Sequence, residues 1–133
     1  MFASLINDFT ESVQYVSTLN HKLSCRVASS ININIANPPS SIDSITLKSK
    51  DRVLLYGQST ASENGIYTFL RAGVKMSRSH DANTSKKMKN NSHFFIEEGT
   101  DADKMFLLTT NGTINLGTTS LTFAEFGGGG GSG

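Results

Sequence analysis

The sequence predicts an all-β fold: a small antiparallel β-sandwich or barrel-like module with short hairpins, preceded by an N-terminal arm or short helix. Two observations predict the β body. Its apolar runs are short and rich in Val, Ile, Leu, Tyr and Phe, and they are separated at close intervals by Gly, Pro, Asn, Asp and Ser. A third observation sets residues 1–24 apart. Phe2, Leu5, Ile6 and Phe9 fall at helix-like spacing in MFASLINDFTESV, and a segment so short is marginal as an isolated helix, so it is expected to dock on a neighbour.

From Cys25 the pattern turns to period two. Ile31, Ile33 and Ile35 alternate with Asn32 and Asn34, which predicts a half-buried strand. Pro38-Pro39 ends it, because neither residue donates to a ladder. The stretch 50–70, KDRVLLYGQSTASENGIYTFL, places the run Val53, Leu54, Leu55, Tyr56 before a polar loop and the run Ile66, Tyr67, Thr68, Phe69, Leu70 after it. That arrangement predicts an antiparallel hairpin. Its loop carries only small or polar side chains and is expected at the surface, with Gly57 and Gly65 free to take positive φ.

Further strands are expected at 44–48, 74–78, 93–97, 104–109, 113–116 and 121–126. In MFLLTTNGTINLG, Asn111-Gly112 sits between two strand runs and predicts a two-residue hairpin turn. The stretch 80–91, with Lys86, Lys87 and Lys89, reads as a solvated connection with room for one helical turn. The module is expected to span 25–126. Residues 127–133, GGGGGSG, have no side chain to bury and read as a glycine-rich linker or tail.

The chain has 133 residues, enough for one small domain. Its hydrophobic fraction is 37% with no Trp, so eight Phe together with Leu and Ile must fill thin β layers or pack on other subunits. The net charge of +1 gives no basic face for nucleic acid. No run approaches the roughly 18 apolar residues of a membrane span, and the first residues lack the basic and apolar regions of a secretory signal. Asn83, Asn90 and Asn111 open N-x-S/T triplets, but without such a signal glycosylation is not expected.

No chemistry-bearing constellation stands out. Cys25 is alone, which excludes an intrachain disulfide and points to a small core residue. His21, His80 and His93 are too scattered for the short spacings of a metal site. Glu97, Glu98, Asp101 and Asp103 cluster in IEEGTDADK, but without an EF-hand pattern they read as a charged turn. With no nucleophile elbow, phosphate loop or dinucleotide fingerprint, no catalytic, cofactor-binding or metal-ligating residue is nominated, and the chain reads as a non-enzyme.

Four pieces follow one another in order: CRVASSINI, then SIDSITLKSKDRVLLYGQSTASENGIYTF, then Arg78-Ser79-His80-Asp81, then FFIEEGTDADKMFLLTTNGTINLGTTSLTFAEF. Together they resemble a module repeated in tail-fibre proteins of bacteriophages and also found in virion proteins of other large DNA viruses. The most specific pieces are DRVLL with SENGIY, and LTTNG with LGTTSLTF. That family usually carries a Trp shortly before the Arg, where this chain has Met76, and 83–91 is more basic than the family pattern.

The resemblance implies a virion structural protein at the particle surface or tail, acting as a spacer, adaptor or host-contact unit. Its implied partners are other virion proteins and further copies of itself, a trimer being favoured. The alternative is a receptor- or glycan-binding module that meets a host surface glycan or receptor through Tyr56, Gly57, Gln58, Ser59, Glu63, Asn64 and Tyr67. A polysaccharide depolymerase is disfavoured, because the sole acidic cluster in the sequence sits in a short turn rather than on a large scaffold.

Overall fold

The computed structural model describes residues 22–126. The expectations of an N-terminal arm over 1–24 and a glycine tail over 127–133 lie outside these residues, apart from 22–24. Nine strands are present among the described residues: β1 Val27–Ser29, β2 Ser41–Ile42, β3 Ile45–Thr46, β4 Arg52–Leu55, β5 Gly65–Thr68, β6 Ser77–Arg78, β7 His93–Phe95, β8 Met105–Leu108 and β9 Phe123–Phe126. Among the same residues the helical content is two 3-10 turns, Ala61–Glu63 and His80–Ala82. The protein is therefore all-β.

The strands form a four-stranded sheet ordered β1-β4-β5-β6, a three-stranded sheet ordered β7-β8-β9 and the separate β2-β3 hairpin. Pairing between these strands is antiparallel except for β1 and β4, which run parallel with Val27 beside Val53 and Ser29 beside Leu55, and Cys25 adds an isolated parallel bridge to Ile96. This departs from a purely antiparallel expectation. A parallel pair needs a long crossover, and residues 30–51, which contain the β2-β3 hairpin, supply it.

β4 is the middle of the molecule. Val53, Leu54 and Leu55 are fully buried, because this continuous apolar run is covered on both faces. Leu54 joins Cys25, Ala28, Ile66, Phe94, Phe106 and Leu121 in one core, against the β7-β8-β9 sheet. Val53 and Leu55 join Val27, Ile33, Ile42, Leu47, Tyr67, Phe69 and Met76 in a second core, roofed by the β2-β3 hairpin and irregular chain. Met76, standing where the resembling family has Trp, is buried there.

The hairpin expected over 50–70 forms as β4-β5, with Arg52 opposite Thr68 and Leu55 opposite Gly65. The strand expected over Ile31, Ile33 and Ile35 does not. Ser29 Oγ bonds both the N–H and the carbonyl of Ile31, and Asn34 Oδ1 accepts the N–H groups of Ala36 and Asn37. These local bonds bend the backbone away from a ladder. Ile33 alone of the three is buried, while Ile31 is exposed and Ile35 half-buried.

The two-residue hairpin at Asn111-Gly112 is also absent, as is the strand at 113–116. Gly112 does take a positive φ of 82°, but β8 pairs with β9, Leu108 lying opposite Phe123. Ile114 and Leu121 are instead drawn into the first core. Burial of those two side chains overrides the local turn preference. A two-residue turn does form elsewhere, between β2 and β3, where Asp43 and Ser44 have φ of 51° and 65°, the pair of positive values that a type I′ hairpin requires.

Gly57 is held by space. A Cβ there would lie 1.9 Å from the Ser30 carbonyl oxygen, a backbone atom that cannot swing aside. Gly57→Ala is expected to lower unfolding free energy by about 3 kcal/mol, at the upper end for overpacking. Gly112→Ala has open space and only its positive φ to overcome, a cost of about 1 kcal/mol. Chemical denaturation of the two variants checks the order, and equal losses would refute the steric account.

Candidate functional site

The loop between β4 and β5 carries the residues singled out for partner contact. It folds inward rather than outward. Gln58 and Asn64 are buried, and the Gln58 side chain accepts from Ile33 N–H at 2.8 Å and donates to the Ile33 carbonyl at 2.9 Å. This amide replaces the strand partner that Ile33 lacks. Asn64 Oδ1 accepts from Gln58 N–H at 2.9 Å, while its Nδ2 donates to the Leu121 carbonyl at 2.9 Å, tying the loop to the segment before β9.

The aromatic residues are engaged as well. Tyr56 packs its ring on Phe106, with centroids 4.8 Å apart, and donates its hydroxyl to Asp101 Oδ2 at 2.8 Å. Burial and then the Asp101 carboxylate raise its pKa above the usual tyrosine value. Tyr67 donates to the Glu63 carbonyl at 2.6 Å. Arg78 lies over the Tyr67 ring at 5.2 Å and donates to the carbonyls of Asn64 and Ser62, both at 2.9 Å. Of the seven residues, Ser59 and Glu63 are exposed, Tyr56 and Gly57 are half-buried, and Gln58, Asn64 and Tyr67 are buried. The expectation that this loop lies at the surface is thereby corrected for Gln58 and Asn64, whose side chains are buried.

At the end of the β4-β5 hairpin away from this loop, where Arg52 stands opposite Thr68, an arginine clamp closes the module. Arg52, the first residue of β4, forms a two-pronged pair with Asp81, at 2.8 and 3.1 Å. The same guanidinium donates to the carbonyls of Ser24 and Leu23, at 3.0 and 2.8 Å, and Leu23 N–H donates to Asp81 Oδ2 at 3.1 Å. One ion pair therefore fixes where the chain enters. Burial works against the ionised Asp81, but the bonds from Arg52 and Leu23 outweigh it and hold its pKa below the ordinary value. Sequence reasoning missed this pair, although an arginine heading a wholly apolar strand was its signal.

The acidic turn is similarly occupied. Glu98 pairs with Arg26 at 2.8 Å, Asp101 holds Tyr56 and Lys104, and Glu97 accepts from the Ser24 hydroxyl. Arg26 also pairs with Asp51 at 3.0 Å. Across from the turn, Asp43 accepts from the Thr100 N–H and hydroxyl. Among the described residues, no three His, Cys, Asp or Glu side chains converge to hold a metal ion. Cys25 is fully buried, and burial pushes its thiol up to about 12, so it presents no thiolate near neutrality.

Two depressions border this framework. One, of about 150 Å³, is lined by Ser29, Ser30, Asp43, Tyr56, Thr100 and Asp101 among others. The other, of about 430 Å³, is shallower and combines Asn32, Asn34, Glu63 and Lys75 with Ile33 and Ile35. In the first, the Thr100 hydroxyl is held by Asp43 and the Tyr56 hydroxyl by Asp101. Both offer hydrogen-bonding groups on a partly apolar floor. No helix among the described residues is long and apolar enough to cross a membrane.

Asp81→Asn leaves Arg52 without its charged partner and is expected to cost about 2 kcal/mol at neutral pH. Because the Asp81 pKa is lower in the folded chain than the ordinary aspartate value of 3.8, the ionic stabilisation is complete above that value. It disappears as pH falls through the lower, folded value. The stability gap between wild type and variant, measured by denaturant titration, should narrow on acidification. A gap independent of pH would contradict the assignment. Comparison of the chain with family models, characterised proteins and solved structures returns no match.

Proposed function

We propose that this chain is a virion structural protein, tail-fibre-like or at the capsid surface, whose β unit acts as a spacer or adaptor in a symmetric homo-oligomeric assembly. The observation that carries the reading is the path of the chain through the three-stranded sheet. It enters along β7, where Lys22 N–H donates to the His93 carbonyl at 2.7 Å and Cys25 N–H to that of Phe95 at 2.8 Å. It leaves at Phe126, opposite Met105 on the far strand. Entry lies by the row of His93 and exit in the row of Phe95, so the chain crosses the sheet from one corner to the diagonal corner. A braced unit with ends so placed transmits position and load between neighbours on either side.

The residues behind the family resemblance support the same reading. Asp51, Arg52, Arg78 and Asp81 are engaged in holding the unit together, which suits a module selected for shape. Other virion proteins and further copies are the proposed partners, with a trimer favoured. A second reading, contact with a host glycan or receptor and with it a role in host attachment, is favoured by the depression that Glu63 borders beside Ser59. Its amides, carboxylate and ammonium over isoleucine match the mixed lining of a small-molecule site.

Purified particles analysed by mass spectrometry and imaging should contain the protein at stoichiometric, symmetric positions. Its absence from particles would reject the virion reading. Sedimentation should show self-association, whereas a stable monomer at high concentration would reject the homo-oligomer. For the second reading, a glycan array should give signal that Glu63→Gln reduces, and an array with no signal from either isolated or assembled protein removes it.

A further inference from the structure

We propose that Asn111 is a site of self-modification, at which the Gly112 backbone nitrogen attacks the Asn111 side-chain amide and water completes its conversion to aspartyl and isoaspartyl residues. The chain contains two Asn-Gly pairs, Asn64-Gly65 and Asn111-Gly112. Such a pair favours this chemistry, because asparagine is thermolabile and a following glycine puts no Cβ beside the attacking nitrogen. In sequence the two pairs are equivalent. The fold separates them.

Asn64 is locked. It is 4% exposed, its Oδ1 accepts from Gln58 N–H and its Nδ2 donates to the Leu121 carbonyl. Neither end of the amide can turn towards the backbone without leaving a buried partner unpaired. Gly65 is held in β5 opposite Leu55, and the Arg78 guanidinium fills the space where a Cβ would stand. Reaction at this pair therefore waits on local opening of the hairpin.

Asn111 is in the opposite condition. Both it and Gly112 are exposed, and a Cβ built on Gly112 would meet nothing within 4 Å. Among the described residues no acceptor takes the Gly112 N–H or the Asn111 Nδ2 protons. Nucleophile and leaving group are both open to solvent. Asn111 Oδ1 accepts from Asn90 Nδ2 at 3.1 Å, and the same amide donates to the Thr110 carbonyl at 3.0 Å. That bond draws electron density from Asn111 Cγ and ties its amide beside its own backbone.

Water is the one co-reactant. Gly112 N gives its proton to solvent and bonds to Asn111 Cγ, the Cγ–Nδ2 bond breaks, and Nδ2 takes up a proton and leaves as ammonia. The resulting cyclic imide adds water at one of its carbonyl carbons. Opening at Cγ yields aspartate, and opening at the main-chain carbonyl yields isoaspartate. Either product puts a carboxylate where a neutral amide stood and cancels the formal net charge of +1, a change that promotes association between copies. Isoaspartate also routes the backbone through the side chain, in the excursion that delivers Ile114 to the first core.

The full chain, incubated folded in mildly alkaline buffer and followed by peptide mass spectrometry, tests the assignment, with isoaspartate read by its specific methyltransferase. Asn111 should convert at least tenfold faster than Asn64, with isoaspartate among its products, while a more acidic form of the chain grows on ion exchange. In denaturant, where both pairs are open, the two rates should draw together. Asn111→Gln, whose longer side chain closes a ring less readily, should slow the acidic form, and Asn111→Asp should elute with it. Equal rates at the two pairs in the folded chain would overturn the proposal. So would a product at 111 that lacks isoaspartate, because direct hydrolysis of the amide gives aspartate alone. An acidic form that grows as fast in Asn111→Gln places the reactive amide elsewhere and rejects the site, and a gap that persists in denaturant rejects the part assigned to the fold.

Discussion

The structure depends on one strand having no outside. Val53, Leu54 and Leu55 are fully buried, so β4 must find a backbone partner on each edge and an apolar cover on each face. β1 and β5 supply the edges. One face takes the β7-β8-β9 sheet, and the other takes the β2-β3 hairpin with Ile33, Phe69 and Met76. Because side chains alternate along a strand, a slip of one residue would send Leu54 to the wrong core. Arg52 opposes such a slip: it lies next to Val53 and its guanidinium is fixed by Asp81 and two carbonyls.

The sequence revealed the elements whose causes are local. The β4-β5 hairpin and the runs at β7, β8 and β9 are apolar stretches between turn residues, and the structure places a strand in each. What stayed hidden was decided by distant partners. Ile31, Ile33 and Ile35 have the alternation of a strand, but the intervening serine and asparagine side chains capture the local backbone, and Gln58 from another loop takes the place of a ladder. Asn111-Gly112 has the composition of a tight turn, yet burying Ile114 and Leu121 needs a longer excursion. The Asp43-Ser44 turn was concealed because Ser rarely favours positive φ, and the bonds from Thr100 to Asp43 that support it come from far along the chain.

The candidate contact residues show the same division. Composition marked 57–65 as a polar loop, which it is, but polarity does not by itself mean exposure. Gln58 and Asn64 are polar because the backbone around them is buried and lacks sheet partners, so their amides act as substitutes for strands. Ser59 and Glu63, the two of the seven that are exposed, have no distinguishing mark in the sequence. A polar loop between two buried strands therefore splits into inward and outward sets that only three-dimensional partners separate.

The pieces that carry the family resemblance meet in space. DRVLL contributes Asp51 and Arg52, which bind Arg26 and Asp81. SENGIY contributes carbonyls and Tyr67, which receive Arg78, and the Arg78-Ser79-His80-Asp81 step supplies both answering charges. Such a motif encodes a mutually satisfied framework, so its presence speaks for a shape rather than for a ligand. The framework also locates what it leaves unfinished. Its charged pairs brace the two cores and the entry of the chain, while the outer face of the three-stranded sheet, beside both ends, holds exposed Phe95 and Phe126 with no charged pair across it. The body of the unit is held by its own bonds, and both the entry of the described chain at Lys22 and its exit at Phe126 lie on this sheet.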